Sequence, residues 1–220
     1  ALLALLFVKL PRQNRLKVGS ILEQFKLFLD KRISIGCAIV FLAGASTYCF
    51  YTYLTPIFQQ ELHIPDSMLS LALLIFGIAA ITSNVSSGQV ANKTGIRMLP
   101  LIYVIQTVCL LLLPIATHNL ISGGLVLFIL GVMMYLLNSP LQMHFLNIAT
   151  REHPACVNLA SSLISVFFNF GIAAGSAMGG VIVKYAGLRF VGIGGAVPGI
   201  GAIICAMILL QIMKPGADIR

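Results

Sequence analysis

Amides and phenols, rather than acids or nucleophiles, are the side chains best placed for chemistry in this chain. Tyr48, Asn84, Tyr135, Asn138, Gln142 and Asn169 all fall in long stretches free of Asp, Glu, Lys and Arg. Such groups exchange hydrogen bonds and offer aromatic faces, which suits reversible binding of a small uncharged solute. Catalysis would need more than this. The chain has no G-x-S-x-G, no H-E-x-x-H and no P-loop. Glu152 and His153 adjoin in "REHP", but with no third partner they read as a solvated turn. Cys37, Cys49, Cys109, Cys156 and Cys205 are scattered, without a C-x-x-C, and read as small hydrophobes in helix packing. No enzyme activity, cofactor or metal site is expected.

The elements that position these groups follow from composition. The 220 residues are 59% hydrophobic and 9% charged, with a mean hydropathy of +1.00. An ordinary soluble domain carries roughly 25% charged residues. Six acids and fourteen bases could not cover so apolar a core in water, so the lipid bilayer is the expected solvent. The expected fold class is an all-α integral membrane protein.

Charge-free runs at 33–60, 67–92, 98–150, 153–183 and 190–213 locate the helices. Each exceeds the ~20 residues that cross a bilayer. The third run is too long for one helix and divides at "PIATHNLISGG" (114–124). Six spans result, at about 33–58, 68–91, 98–117, 121–149, 157–184 and 190–213. Residues 33–213 therefore form a six-helix transmembrane bundle. Residues 1–8 read as the end of a preceding transmembrane helix. Residues 9–32 read as a linker whose apolar positions 18, 21, 22, 25, 28 and 29 repeat with a helical period, as in an amphipathic helix lying along a membrane face. Residues 214–220 are a short polar tail.

Basic residues orient the spans. Of the fourteen, only Lys184 and Arg189 fall on one side; the rest lie in the linker, in alternate loops or in the tail. By the positive-inside rule the linker and the C-terminus are cytoplasmic, in a multi-pass protein of the cell membrane. The net charge of +8 then needs no nucleic-acid partner. It is a topology signal, with anionic lipid as a further contributor.

Glycine and proline mark the helix contacts. Gly171, Gly175 and Gly179 recur every four residues in the fifth span, and Gly195 and Gly199 do so around Pro198 in the sixth. Small faces of this kind let helix backbones approach closely. The fourth span carries Pro140 beside Asn138 and Gln142. A proline there removes a backbone bond, and broken helices near the membrane midplane are where transporters place substrates. Amides in hydrocarbon are costly unless they meet a cavity or a neighbouring helix. Of the tyrosines ending the first span, Tyr48 lies deepest and is the best lumen-facing candidate. His144 is the one intramembrane group able to titrate near neutral pH, and it is expected to pack near the cytoplasmic end.

"GQVANKTGIR" (88–97) resembles the loop signature of the major facilitator superfamily, roughly G-x-L-A-D-R-x-G-R-R, found between the second and third helices of each six-helix half. Gly88, Ala91, Lys93, Gly95 and Arg97 fit it, whereas Asn92 replaces the usual Asp and Ile96 replaces an Arg. "YTYLTPIF" followed by "LLIFGIAAITSNVSSGQVANKTG", and then "NLASSLISVFFNFGIAAGSAMGG", resembles the sugar-efflux and purine-efflux branch of drug/proton antiporters. The match runs over nearly the whole chain from about residue 33. It implies one half of a twelve-helix transporter fold, the C-terminal half, partnered by an N-terminal six-helix half. It also implies alternating access, with export of a small organic solute (a sugar, nucleoside or drug) between the halves against protons. The first, second, fourth and fifth spans would line the cavity and the third and sixth would be peripheral. The loop would be a hinge, with Gly88 letting a helix end pack closely and Gly95 turning the chain. Its charge network would be weakened by Asn92. No carboxylate lies within a span, so a proton site would belong to the other half. Two other readings remain at this point: a membrane subunit or inert half without transport, and a homodimeric channel-like pore.

Overall fold

The computed structural model describes residues 27–213. The linker helix, the end of a preceding span and the tail read from the sequence lie outside the described residues, apart from residues 27–29, which are helical. Seven longer helices form the bundle: α1 (Lys31–Tyr51), α2 (Asp66–Lys93), α3 (Leu99–Ala116), α4 (Leu120–Met133), α5 (Asn138–Glu152), α6 (Val157–Tyr185) and α7 (Val191–Ile212). There is no strand among the described residues. The helices give six segments long and apolar enough to cross a membrane, with α4 and α5 the two parts of one of them. The expected ends hold to within a few residues, with one exception.

That exception is the first span, which stops at Tyr51 rather than near 58. Pro56 is the cause. Its ring clashes with the carbonyl four residues back, at Thr52, which is the residue that caps α1. The chain resumes as one turn at Leu54–Pro56 and a π-helical turn at Ile57–Glu61. Pro140 acts in the same way. The residue four back is Leu136, and the interruption between α4 and α5 falls at residues 134–137. Pro140 itself sits in the first turn of α5, where its missing N–H costs nothing. The break expected around Pro140 therefore lies just before it.

Local signals fix the other ends. Asp30 caps α1 by accepting from the Arg32 amide at 2.8 Å, and Asn119 caps α4 through the Ile121 amide at 2.9 Å. Gly95 turns the chain between α2 and α3 at φ +55°, and Gly187 ends the loop after α6 at φ +101°. Both values are open to glycine without a Cβ penalty.

The helices pack in a ring. α1 lies against α6 and α7, α7 against α3, and α3 against α4; α2 covers α4 and α5, and α5 returns to α6. Three apolar clusters stack along it. One is built on Phe50, Phe58 and Leu127, a second on Ile39, Tyr103 and Leu137, and a third on Ile33, Phe145 and Ala160.

The glycine faces do as their spacing implies. A Cβ at Gly171, Gly175 or Gly179 would stand 2.3, 2.4 or 2.5 Å from the carbonyl oxygens of Phe41, Ala45 and Cys49 on α1. From the other side, a Cβ at Gly195 of α7 would stand 2.7 Å from the Ser46 carbonyl. α1 is thus held backbone to backbone between two glycine-lined helices. The sixth span packs against α1 from behind, and its exposed side chains are apolar apart from Gln211. The third span is less bland than it looks, because Gln106 is buried and donates to Thr47 Oγ1 at 3.1 Å and Ser46 Oγ at 3.4 Å.

Arg32 ties the start of α1 to the end of α5. Its guanidinium donates to Asp30 at 2.6 and 3.1 Å and to Glu152, the last residue of α5, at 2.8 Å. "REHP" is therefore a clamp point as well as a turn. Burial alone would raise the Asp30 carboxyl, but hydrogen bonds from Arg32 outweigh it and hold it below its ordinary value. The sign follows from linkage. A depressed carboxylate contributes fully above the ordinary aspartate range near pH 4, and the contribution is lost as pH falls through the lower folded value. Arg32→Ala is expected to lower stability by about 1 kcal/mol at neutral pH, as for a partly exposed ion-pair network. The loss should shrink on acidification, as read from unfolding midpoints against pH.

Candidate functional site

The site is assembled around the broken span. An interrupted helix leaves backbone amides without partners, and in a membrane each must be satisfied within the protein. Here α2 supplies the acceptors. Ser83 Oγ accepts from the Tyr135 amide and Ser87 Oγ from the Ser139 amide, both at 2.9 Å, and both serines are fully buried. They are four residues apart, so they lie one above the other on a single helix face. This pair staples α2 to the break and fixes where Tyr135 and Asn138 stand.

Tyr135 in turn meets α1, where the Tyr48 hydroxyl faces it. The Tyr48 ring packs edge-on against Tyr51 at 5.3 Å and against Phe168 of α6 at 5.8 Å. Tyr51 stacks on Phe76 of α2 at 5.7 Å. One aromatic cluster therefore joins α1, α2, α6 and the α4–α5 junction. Tyr48, Tyr51 and Tyr135 are half-buried, so their rings are packed on one side and open on the other. Just beyond, Thr52 and Ser176 share a hydroxyl–hydroxyl contact of 2.8 Å between α1 and α6.

The amides are placed differently. Asn138 is half-buried at the start of α5, and Gln142 is exposed one turn later on the same face. Asn84 on α2 and Asn169 on α6 are exposed. The Asn169 amide donates back to its own helix at the Ser165 carbonyl, at 2.7 Å. None of the four bridges two helices among the described residues. The structure brings Tyr48 and Tyr135 together; it leaves Asn84, Gln142 and Asn169 on open helix faces.

Those faces are distinctive. The exposed side chains of α3 are all apolar, from Leu101 to Ile115, and those of α7 are apolar apart from Gln211 near its end. By contrast, among exposed apolar side chains such as Leu74, Ile81, Val85 and Phe170, α2 also exposes Thr82, Asn84 and Gln89, and α6 also exposes Ser161, Ser162, Ser165 and Asn169. The same two helices are the least covered. Only 17% of the most apolar stretch of each is buried, against 67% for α1. Lipid suits the first pair of faces, whereas polar groups at membrane depth need water or protein.

The loop motif is also set out plainly. Gly88 is inside α2, and a Cβ there would meet nothing within 4 Å. The close packing expected of it is not a contact of the described bundle. Gly95 makes the expected turn, while Asn92, Lys93 and Arg97 are exposed. His144 is buried against Phe145.

Asp30, Glu152 and His153 bring potential ligand atoms within 4.8 Å of one another. The Arg32 guanidinium already bridges both carboxylates, offsetting one of their two charges and engaging their oxygens, so the cluster does not read as a cation site.

The serine staple and the buried Gln106 were the functional geometry that sequence reasoning missed. A signal existed for each: two serines at i and i+4 in an apolar helix, and one amide isolated in the third span.

A profile described as the Major Facilitator Superfamily matches residues 1–159. The uncharacterized MFS-type transporter YtbD of Bacillus subtilis (strain 168) is 29% identical over 182 residues, 83% of this chain and 46% of the relative. The inner membrane transport protein YdhP of Escherichia coli (strain K12) is 24% identical over 94% of this chain and 51% of its own. A probable sugar efflux transporter of Pasteurella multocida (strain Pm70) is 26% identical over 89% of this chain and 47% of its own. The chain spans about half the length of the curated relatives it matches.

Proposed function

The chain belongs to the major facilitator superfamily, and from that premise we propose that it is the C-terminal half of an alternating-access efflux carrier for a small organic solute. The observation that carries this reading is the contrast between faces. α3 and α7 turn outward almost only apolar side chains, whereas the thinly covered α2 and α6 carry exposed hydroxyls and amides, Thr82, Asn84 and Asn169 among them, between exposed apolar ones. A second six-helix half set against α2 and α6 would cover that surface and enclose a path between the halves.

The aromatic cluster forms the floor of this path on our side, and Asn84, Asn138, Gln142 and Asn169 its walls. Tyr48, Tyr51, Tyr135 and Phe168 offer ring faces and hydroxyls without formal charge. They fit a neutral solute with polar edges, such as a sugar, a nucleoside or a neutral drug. A relative carries the name of a sugar efflux transporter, which agrees with that class. Proton antiport is the proposed energy source, with the proton site in the other half, since Asp30, Glu61, Asp66 and Glu152 all lie at helix ends. The basic end of the bundle, with Lys93, Arg97 and Arg151, is the proposed cytoplasmic end.

Within this scheme the fold divides the work. α1, α6 and α7 are locked by backbone contact and move as one body, whereas the stapled break between α4 and α5 is the place where the wall can bend. The loop at 92–97 is the hinge between α2 and α3.

The full-length gene, expressed in a host lacking its main efflux systems, is the test. Accumulation of labelled sugars, nucleosides and neutral drugs is measured with and without a protonophore. At least one solute is expected to accumulate less, with the effect lost under protonophore. Tyr48→Ala is expected to weaken export about tenfold, from loss of ring contacts worth about 1 kcal/mol or a little more. Unchanged accumulation across all three solute classes contradicts the proposal.

A further inference from the structure

The turn that follows α2 leaves a cleft against the first turns of α5. Its volume is about 150 Å³, and Asn92, Lys93, Thr94, Arg97, His144 and Asn147 provide its polar lining. Two of these are permanent cations and none is a carboxylate. The side chains of Lys93 and Arg97 make no ion pair or hydrogen bond among the described residues. Their charge in the cleft is therefore uncompensated, and Asn92 adds an amide donor where an acid would have neutralised the pair.

We propose that this cleft binds a phosphate group. Arg97 can present a planar fork of donors to two phosphate oxygens, Lys93 a point charge, and Asn92 and Asn147 neutral donors. The volume admits a phosphate with some of its water. The loop joins two membrane-spanning helices, so the cleft opens at headgroup depth. Both an anionic phospholipid and free phosphate can reach it. An occupant would tie the α2–α3 turn to α5, the helix that begins at the break, and so would steady the hinge from the side remote from the aromatic cluster. This site stands or falls independently of the solute exported.

The full-length carrier serves for the test. Purified protein is equilibrated with mixed phosphatidylglycerol and phosphatidylcholine, and retained lipids are read by native mass spectrometry. In a second arm, vesicles of phosphatidylcholine alone carry the Thr94→Cys protein, and inorganic phosphate is tested for protection from a maleimide. Two variants accompany both arms. Lys93→Ala/Arg97→Ala removes the cations. Asn92→Asp keeps both and the local packing but places a carboxylate in the cleft. The expected result is a phosphatidylglycerol preference that falls on the order of thirtyfold when both bases are lost, and that falls similarly in Asn92→Asp. Protection by inorganic phosphate without lipid preference, again lost in both variants, also upholds the site and names free phosphate as its source. Neither effect in the unmodified carrier overturns the proposal, as it would if a carboxylate of the other half filled the cleft. A lipid preference that survives both variants overturns it as well.

Discussion

Gly175→Val is expected to destabilise the carrier by about 3 kcal/mol or more, at the upper end of overpacking costs, and to abolish export with it. A Cβ at this position would stand 2.4 Å from the Ala45 carbonyl oxygen, 2.8 Å from its Cα and 2.9 Å from its carbonyl carbon. All three are backbone atoms, so no side chain can rotate away. Relief would require α1 to move off α6. Such a movement drives α1 into α7, where Gly195 already approaches Ser46 as closely as backbone allows. In a bilayer, helix association rests on such packing, because lipid tails offer an equally apolar alternative. The control is Gly124→Ala in α4. A Cβ there meets nothing within 4 Å, so the change should lie within about 1 kcal/mol, the helix-propensity gain. Unfolding midpoints in detergent measure both. An unchanged midpoint for Gly175→Val would refute the locked α1–α6 pair.

The second large effect is expected at the staple. Replacing Ser83 and Ser87 together by alanine leaves the Tyr135 and Ser139 amides buried with no acceptor. Each such group costs about 1–3 kcal/mol, and water cannot easily replace a fully buried hydroxyl. A combined loss of about 2–6 kcal/mol follows, with each single variant losing roughly half. A merely structural role would move stability alone. Because the staple also places Tyr135 beside Tyr48, the single variants should lose solute affinity as well as stability. Single variants with normal affinity and a normal midpoint would remove the staple from the account.

Much of this architecture was legible in the sequence. Charge-free runs place the six spans because the bilayer excludes formal charge more strictly than any propensity acts. Glycines at four-residue spacing announce a close helix contact because nothing else fits one. What they do not announce is the partner. That α6 meets α1 through Gly171, Gly175 and Gly179 is a tertiary fact. The prolines were legible as interruptions but not in their position. Pro56 and Pro140 each act on the carbonyl four residues back, so α1 ends at Tyr51 and the α4–α5 break precedes Pro140. Asn84, Gln142 and Asn169 were legible as polar groups out of place, and they do lie on open faces. Ser83 and Ser87 looked equivalent to Thr82 and Ser86 in sequence. Only the amides of a broken helix on a neighbouring element distinguish them. Arg32 read as one more topology charge, although Glu152 lies 120 positions away.

If two halves enclose a path, the exposed polar positions of α2, α5 and α6 border water between them, while the exposed faces of α3 and α7 border lipid. Cysteine accessibility tests it without knowledge of the solute. In the full-length carrier, with Cys37, Cys49, Cys109, Cys156 and Cys205 replaced, single cysteines are placed at Asn84, Gln142 and Asn169, and at Val108 and Ile204. Labelling by a small membrane-impermeant maleimide is followed in sealed vesicles of both orientations. Rapid labelling is expected at Asn84, Gln142 and Asn169 and little at Val108 and Ile204. Equal labelling of the two sets, or protection of the first set alone, would contradict it.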